Sequence, residues 1–557
     1  MVKNKIGLLY ILFLICAVNF VSQAEIIPPL KRSLQLTGNF GELRTNHFHT
    51  GLDFRASIGT PVYAVDSGYV SRITVSAGGY GNALYITHPS GITSVYAHLN
   101  AFTPKICKIL QHQQEQLKYY AVDLSFLPTD IQVKKGEIVA YTGNRGSSGG
   151  PHLHFEIRDT QTQNPLEPLN YLKDKIKDTR SPKIKAISIM PYRGIVNNTN
   201  TQIIKVGENS VVSQIKAWGD LILAVEAYDY MDGMRNIYGV HYVNLYKDEE
   251  LIYSSHIDTL SFDKGRQINT YINREEFLKN RSLYMQSFLA PGNTLPFYEK
   301  NKISNNGVVT IDEERVYKFR YEVFDYYGNK DEYAFEIVGE KTECEPIKQK
   351  TVKYNEEYII EEENFRMRIP AYALYDNYIP QYSKSDTIKS GNYSAIHTIE
   401  PYYAGVDKNC KLSIRIDADT IQDKNKYYIV SINSEGKKKG KVSQEYISEY
   451  SDGWLTTQVK TFGQFVVKAD QTKPYIKYHG VVDGEIRFTV KDDESGLKYF
   501  KGEVDGKFVV FTYDMKDKIA RYKIDTKKIE QGTIHTLKFE VIDNCGNEKL
   551  YRGNLRF

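Results

Sequence analysis

The stretch Gly150-Pro151-His152-Leu153-His154-Phe155-Glu156 constrains this chain more than any other. A Gly-Gly-Pro turn at 149–151 feeds a short alternating run, which reads as a β-strand. Side chains on a strand alternate faces. His152, His154 and Glu156 therefore share one face, and Leu153, Phe155 and Ile157 share the other. The apolar face belongs in a core. The polar face sets two imidazoles side by side, one suited to a metal and its neighbour to a substrate. A second polar strand face is expected at 49–54, HTGLDF, where His49, Gly51 and Asp53 alternate with Thr50, Leu52 and Phe54. The i, i+4 pair stays on one face, and the glycine between leaves room. Two imidazoles and one carboxylate make a three-ligand set, which on zinc keeps an open position for water.

With Tyr96-Ala97-His98 lying between them, the HxGxD and HLHFE stretches resemble the LytM/lysostaphin-type zinc endopeptidases, which cut peptidoglycan peptides. The resemblance covers roughly residues 40–170. It implies one zinc ion held by His49, Asp53 and His154, with His98 and His152 as the catalytic pair. It also implies an antiparallel β-sheet peptidase domain and a peptide stem or crossbridge of peptidoglycan as substrate. The helical HExxH motif of other zinc proteases occurs nowhere in the chain, so a different zinc scaffold is needed.

At 557 residues the chain is too long for one core, and several domains are expected. A net charge of only +4 argues against nucleic acid as the main partner. The 44 tyrosines favour strands. Residues 1–24 carry Lys3 and Lys5, an apolar run from Ile6 to Phe20, and Ser22-Gln23-Ala24, which reads as a secretory signal peptide cleaved after about Ala24. The apolar run is short for an uncleaved anchor. Ile15 is too bulky before Cys16 for a lipidation site, and no later stretch is apolar for long enough to span a bilayer. The mature chain is expected to be exported, to the periplasm or cell envelope or beyond it. Cys107, Cys344, Cys410 and Cys545 are scattered, with no CxxC; buried free thiols are expected rather than a metal site.

Within the peptidase region, 25–175, strands are expected at Val62–Val65 and Gly68–Ile73 around an Asp66-Ser67-Gly68 hairpin turn, at 83–88, and at Ile92–His98. Arg44 is open between a substrate or oxyanion contact and a solvated loop residue. His47 and His88 are read as non-ligands, and Glu156 as an ordinary strand-end carboxylate in preference to a hydrogen-bond partner that orients an imidazole. An insertion at about 101–130 carries an amphipathic helix from about 104 to 120, which either overhangs the cleft or packs on the sheet. The Gly/Ser run 143–150 lacks the Lys-Ser/Thr and helix of a P-loop, and suits close backbone approach to a substrate.

Residues 176–182 read as a linker. Beyond it, short strands separated by turn signals indicate tandem Ig-like β-sandwiches, so the fold class is all-β. EAYDYMDG at 226–233 and EVFDYYGN at 322–329 are echoed by TVKDDESG at 489–496 and EVIDNCGN at 540–547. This internal repeat suggests two related domains, 183–340 and 473–557, flanking a distinct β domain at 345–471. Their Asp-rich turns contain no DxDxDG-type loop, so no calcium site is expected there. The β domains would serve wall glycan, envelope protein partners or the enzyme itself. Two alternatives remain beside the wall peptidase: a non-catalytic LytM-like regulator, disfavoured by the full ligand set and both imidazoles, and a secreted protease acting on non-wall proteins.

Overall fold

The computed structural model describes residues 25–197, 201–207, 214–342, 351–434 and 438–557. The expected signal peptide and Cys344 lie outside them. The chain is mostly β. A nine-stranded antiparallel sheet forms the first region, with His152–Asp159 near its middle, between Leu52–Arg55 and Ile92–Ala97. Its apolar face, Leu153, Phe155 and Ile157, is fully buried as the alternation demands.

Three local expectations are corrected. The Asp66-Ser67-Gly68 turn does not close a hairpin, because Pro61–Tyr63 leaves to pair with Ile138–Tyr141 in a separate three-stranded sheet. His49 and Asp53 do not share a strand. The strand starts at Leu52, while His49 is anchored by exchanging backbone hydrogen bonds with the Gly41–Glu42 turn. The 92–97 strand stops before His98, which adopts a left-handed φ of 57°.

The predicted helix is present as Pro104–Leu117, buried through Ile106 and Leu110. It supports the C-terminal region rather than the cleft: Lys528 pairs with Glu115 at 2.8 Å, and Tyr119 stacks on Tyr499.

Strands between 183 and 339 join in one nine-stranded sheet. Its core is continuous with that of the first region. Phe48 packs edge-on against Phe297, and the Tyr238 hydroxyl donates to the Leu36 carbonyl at 2.8 Å. The intervening 176–182 stretch is no free tether, since Ile176 and Asp178 are buried. Two five-stranded sheets follow, between Tyr358 and Ala469, and two four-stranded sheets between Tyr475 and Leu555, each pair enclosing its own core.

Candidate active site

Antiparallel register sets His154 directly opposite Asp53 on one side and Ala97 on the other. His49 reaches the same point from its turn. Its Nε2 lies 3.1 Å from Asp53 Oδ1 and 3.0 Å from His154 Nδ1, and His154 Nδ1 is 2.9 Å from the same Asp53 oxygen. Gly51 is required for this approach, because a Cβ there would meet the Phe155 carbonyl oxygen at 2.3 Å.

Each imidazole has its second nitrogen fixed. His49 Nδ1 donates to the Asn39 carbonyl at 2.6 Å, and His154 Nε2 donates to Glu156 at 2.8 Å. This selects the tautomers that leave His49 Nε2 and His154 Nδ1 as free acceptors toward Asp53, the usual outer support of metal-binding histidines. The donor set of two imidazole nitrogens and one carboxylate oxygen, all within 4.8 Å of one another, fits a zinc ion.

His98 and His152 stand beside this cluster, their ring centroids 4.8 Å apart. His98 Nδ1 donates to the Arg145 carbonyl at 2.7 Å, and His152 Nδ1 to the Gly150 carbonyl at 2.8 Å. Both Nε2 atoms are thereby left as proton acceptors, and that of His152 lies 3.4 Å from Asp53 Oδ1. Burial pushes the His98 pKa down to about 3, so its ring is neutral at neutral pH.

Glu156 departs from its expected role as a strand-end carboxylate. It is fully buried, and its Oε1 accepts from Thr50 at 2.5 Å and Tyr80 at 2.6 Å as well as from His154. Arg158 pairs with Oε2 at 2.6 Å. Burial works to raise the Glu156 pKa, but Arg158 and His154 hold it down at about 2. Arg158 was findable in sequence, since it continues the 152–154–156 face by one more step of two; Thr50 and Tyr80 carry no such signal. His88 is structural, bonded to the Ser67 carbonyl and the Ser94 hydroxyl. His47 is exposed and caps the Thr45 carbonyl. Arg44 bridges Glu42 and Asp53, at 3.1 and 3.5 Å.

The cleft above these groups has a volume of about 570 Å³. One wall is the Gly/Ser loop, through Ser147, Ser148 and Gly149. Another comes from the second region, through Leu260, Ser261 and Phe262. That segment is zipped onto the peptidase sheet: the Glu167 amide donates to the Asp258 carbonyl and the Leu260 amide to the Pro165 carbonyl, both at 3.0 Å.

An antiparallel sheet presenting a two-histidine, one-aspartate cluster in a cleft is a candidate metal centre. Residues 47–108 and 105–168 match the model of peptidase family M23, so this stretch is a LytM-type metallopeptidase domain. Residues 349–470 match the model of a Zu5-like domain. The DD-carboxypeptidase/endopeptidase Mpg of Neisseria meningitidis is 35% identical over 125 residues, 22% of this chain and 23% of that protein. Lysostaphin of Staphylococcus simulans is 28% identical over 128 residues, 22% of this chain and 21% of its own length. The solved catalytic domain of lysostaphin from the same species is 27% identical, covers 24% of this chain and 89% of that one, and has a TM-score of 0.18. The chain thus spans about a quarter of the length of the curated relatives it matches.

Proposed function

We propose that the protein is an exported zinc metalloendopeptidase that hydrolyses peptide bonds in peptidoglycan stems or crosslinks. The convergence of His49 Nε2, Asp53 Oδ1 and His154 Nδ1 beside two further imidazoles carries the reading. These three side chains would hold the metal. Zinc, when bound, supplies a Lewis acid and lowers the pKa of its water to about 7. His98 and His152 hold and move protons at Nε2: one accepts the proton of the attacking water and the other serves the leaving amine. Their Nδ1 bonds to backbone carbonyls keep both rings aimed without spending a side-chain partner. Glu156 and Arg158 orient His154 from behind, and the buried cleft floor strengthens every charge interaction within it. Export rests on the signal-like residues 1–24; among the described residues no helix is long and apolar enough to cross a membrane.

The test is digestion of purified sacculi read by fragment mass. His154→Ala and Asp53→Ala should lose zinc and activity together. His98→Ala should keep zinc and lose turnover by about 100-fold or more. Full hydrolysis by Asp53→Ala protein would refute the assignment, and cleavage of a protein panel with intact sacculi would redirect it to non-wall substrates.

A further inference from the structure

Asp178, Asp229 and Asp325 form a group separate from the catalytic cluster, one carboxylate oxygen of each within 4.8 Å of the others. They are 7%, 5% and 2% exposed. No Lys or Arg is ion-paired with any of the three among the described residues. Arg180, the nearest in sequence, instead donates to the Met231 and Met234 carbonyls. Asp325 is engaged by Asn329, whose amide and side chain donate at 2.8 and 2.7 Å. Asp178 Oδ1 accepts from the Arg180 and Asp232 amides at 3.2 and 3.1 Å. Asp178 Oδ2 and Asp229 Oδ1, however, are buried and accept nothing.

Three buried carboxylates with two orphaned oxygens can all ionise only at a cost unless a positive charge compensates them. We propose that this cluster is a calcium site. All-oxygen donors select a hard cation, and calcium binds oxygens at about 2.3–2.6 Å, so ligands around one ion lie at most about 5 Å apart. The spacing of the three aspartates meets that limit. The site would tie three parts of the chain: Asp178 precedes the Lys183–Val196 strand, Asp229 follows Lys216–Tyr228, and Asp325 follows Val316–Phe324. A bound ion would therefore fix the connection between the peptidase sheet and the region that supplies the 260–262 wall of the cleft.

The placement recurs. Asp470, Asp492 and Asp543 form a second cluster at the corresponding ends of the last domain. Both begin with the same spacing, Asp178-x-x-x-Pro182-x-Ile184-Lys185 and Asp470-x-x-x-Pro474-x-Ile476-Lys477. The second cluster differs in that the Ser495 amide and hydroxyl both donate to Asp470 Oδ2. With its carboxylates so satisfied, it carries no proposal of its own.

The experiment is calorimetric titration of the full, zinc-reconstituted chain with calcium chloride, beside thermal unfolding with and without the ion. Wild type should bind calcium saturably and unfold at a higher temperature in its presence. Asp229→Asn, which neutralises an unpartnered carboxylate, should bind one equivalent fewer and be no less stable than wild type without calcium. His154→Ala should retain the full calcium stoichiometry, which separates this site from the proposed zinc site. Terbium luminescence sensitised by the adjacent Tyr228, Tyr230 and Tyr326, and quenched by added calcium, gives a readout on wild type that survives a folding failure of any variant. Absence of wild-type binding at about millimolar calcium, the weak end of protein sites, overturns the proposal. So does an unchanged stoichiometry in Asp229→Asn, or loss of that equivalent in His154→Ala.

Discussion

His98 and Arg145 are joined by a 2.7 Å hydrogen bond from the imidazole Nδ1 to the backbone carbonyl, and the same Arg145 extends its guanidinium to Asp514 of the last domain at 3.6 Å. Lys516 of that domain also donates to the Asn144 carbonyl. The loop that aims a candidate catalytic ring is thus clamped by a domain some 370 residues further along the chain. Asp514→Ala should leave zinc content unchanged and lower kcat. A partly exposed ion pair is worth about 1 kcal/mol or less, so the loss should be at most about fivefold. Steady-state kinetics on a crosslinked wall peptide checks this; an unchanged kcat would mean that the loop holds its shape unaided.

Glu156 separates two effects that a single substitution would merge. Glu156→Gln keeps an acceptor for His154 Nε2 but removes the charge, and should weaken zinc binding by about 10–100-fold. Both variants leave the Arg158 charge buried without its counter-ion, at a cost of about 3–5 kcal/mol in stability, and Glu156→Ala also removes the acceptor for His154 Nε2. Chelator competition and chemical denaturation read the two quantities independently. Wild-type stability in both variants would remove the Glu156–Arg158 pair from the account.

Phe262 is 45% exposed at the cleft rim, with the Arg158 guanidinium 4.3 Å from its ring centroid. Phe262→Ala should cost little stability, because so much of the ring faces solvent. It should raise KM with kcat nearly unchanged if the ring only holds substrate. An aromatic contact of this kind is worth about 0.5–1.5 kcal/mol, which corresponds to a rise of roughly two- to tenfold. A fall in kcat at constant KM would instead assign the wall to positioning of the reacting bond.

The site was legible where strand periodicity applied and obscure where it did not. His152, His154 and Glu156 share a face because two-residue alternation is a property of the backbone itself. The same rule misplaced His49, whose position is set by the Gly41–Glu42 turn, and His98, which lies one residue past its strand in a left-handed conformation. It also proposed a hairpin at 66–68, where hydrophobic pattern cannot tell a neighbouring strand from one that joins another sheet. The 260–262 wall was invisible, because Leu-Ser-Phe has no signature and its approach depends on pairing with 165–167. The Asp-rich turns argue against a calcium loop in sequence for a related reason: the aspartates of the cluster arrive from three separate strand ends, so no contiguous loop announces them.

Glu167 lies in that seam and titrates unusually. It is 2% exposed, and burial, opposed by the Leu169 amide and aided by Asp258, raises its pKa to about 8. The folded pKa therefore exceeds the unfolded value of about 4.3. The folded state holds a proton that the unfolded chain releases first, so this group's contribution is complete below about pH 4 and is lost as pH rises through about 8. Stability should fall between about pH 4 and about pH 8, by an amount on the order of a few kcal/mol from this residue. Glu167→Gln keeps an oxygen for the Leu169 amide, which donates to the native carboxylate at 2.9 Å, and cannot ionise. Its unfolding midpoint should therefore decline less steeply over that range. Because other buried acids such as Asp229 titrate in the same window, the measurement that decides is the difference between wild type and variant at each pH. Parallel curves would show that Glu167 is already ionised within the seam.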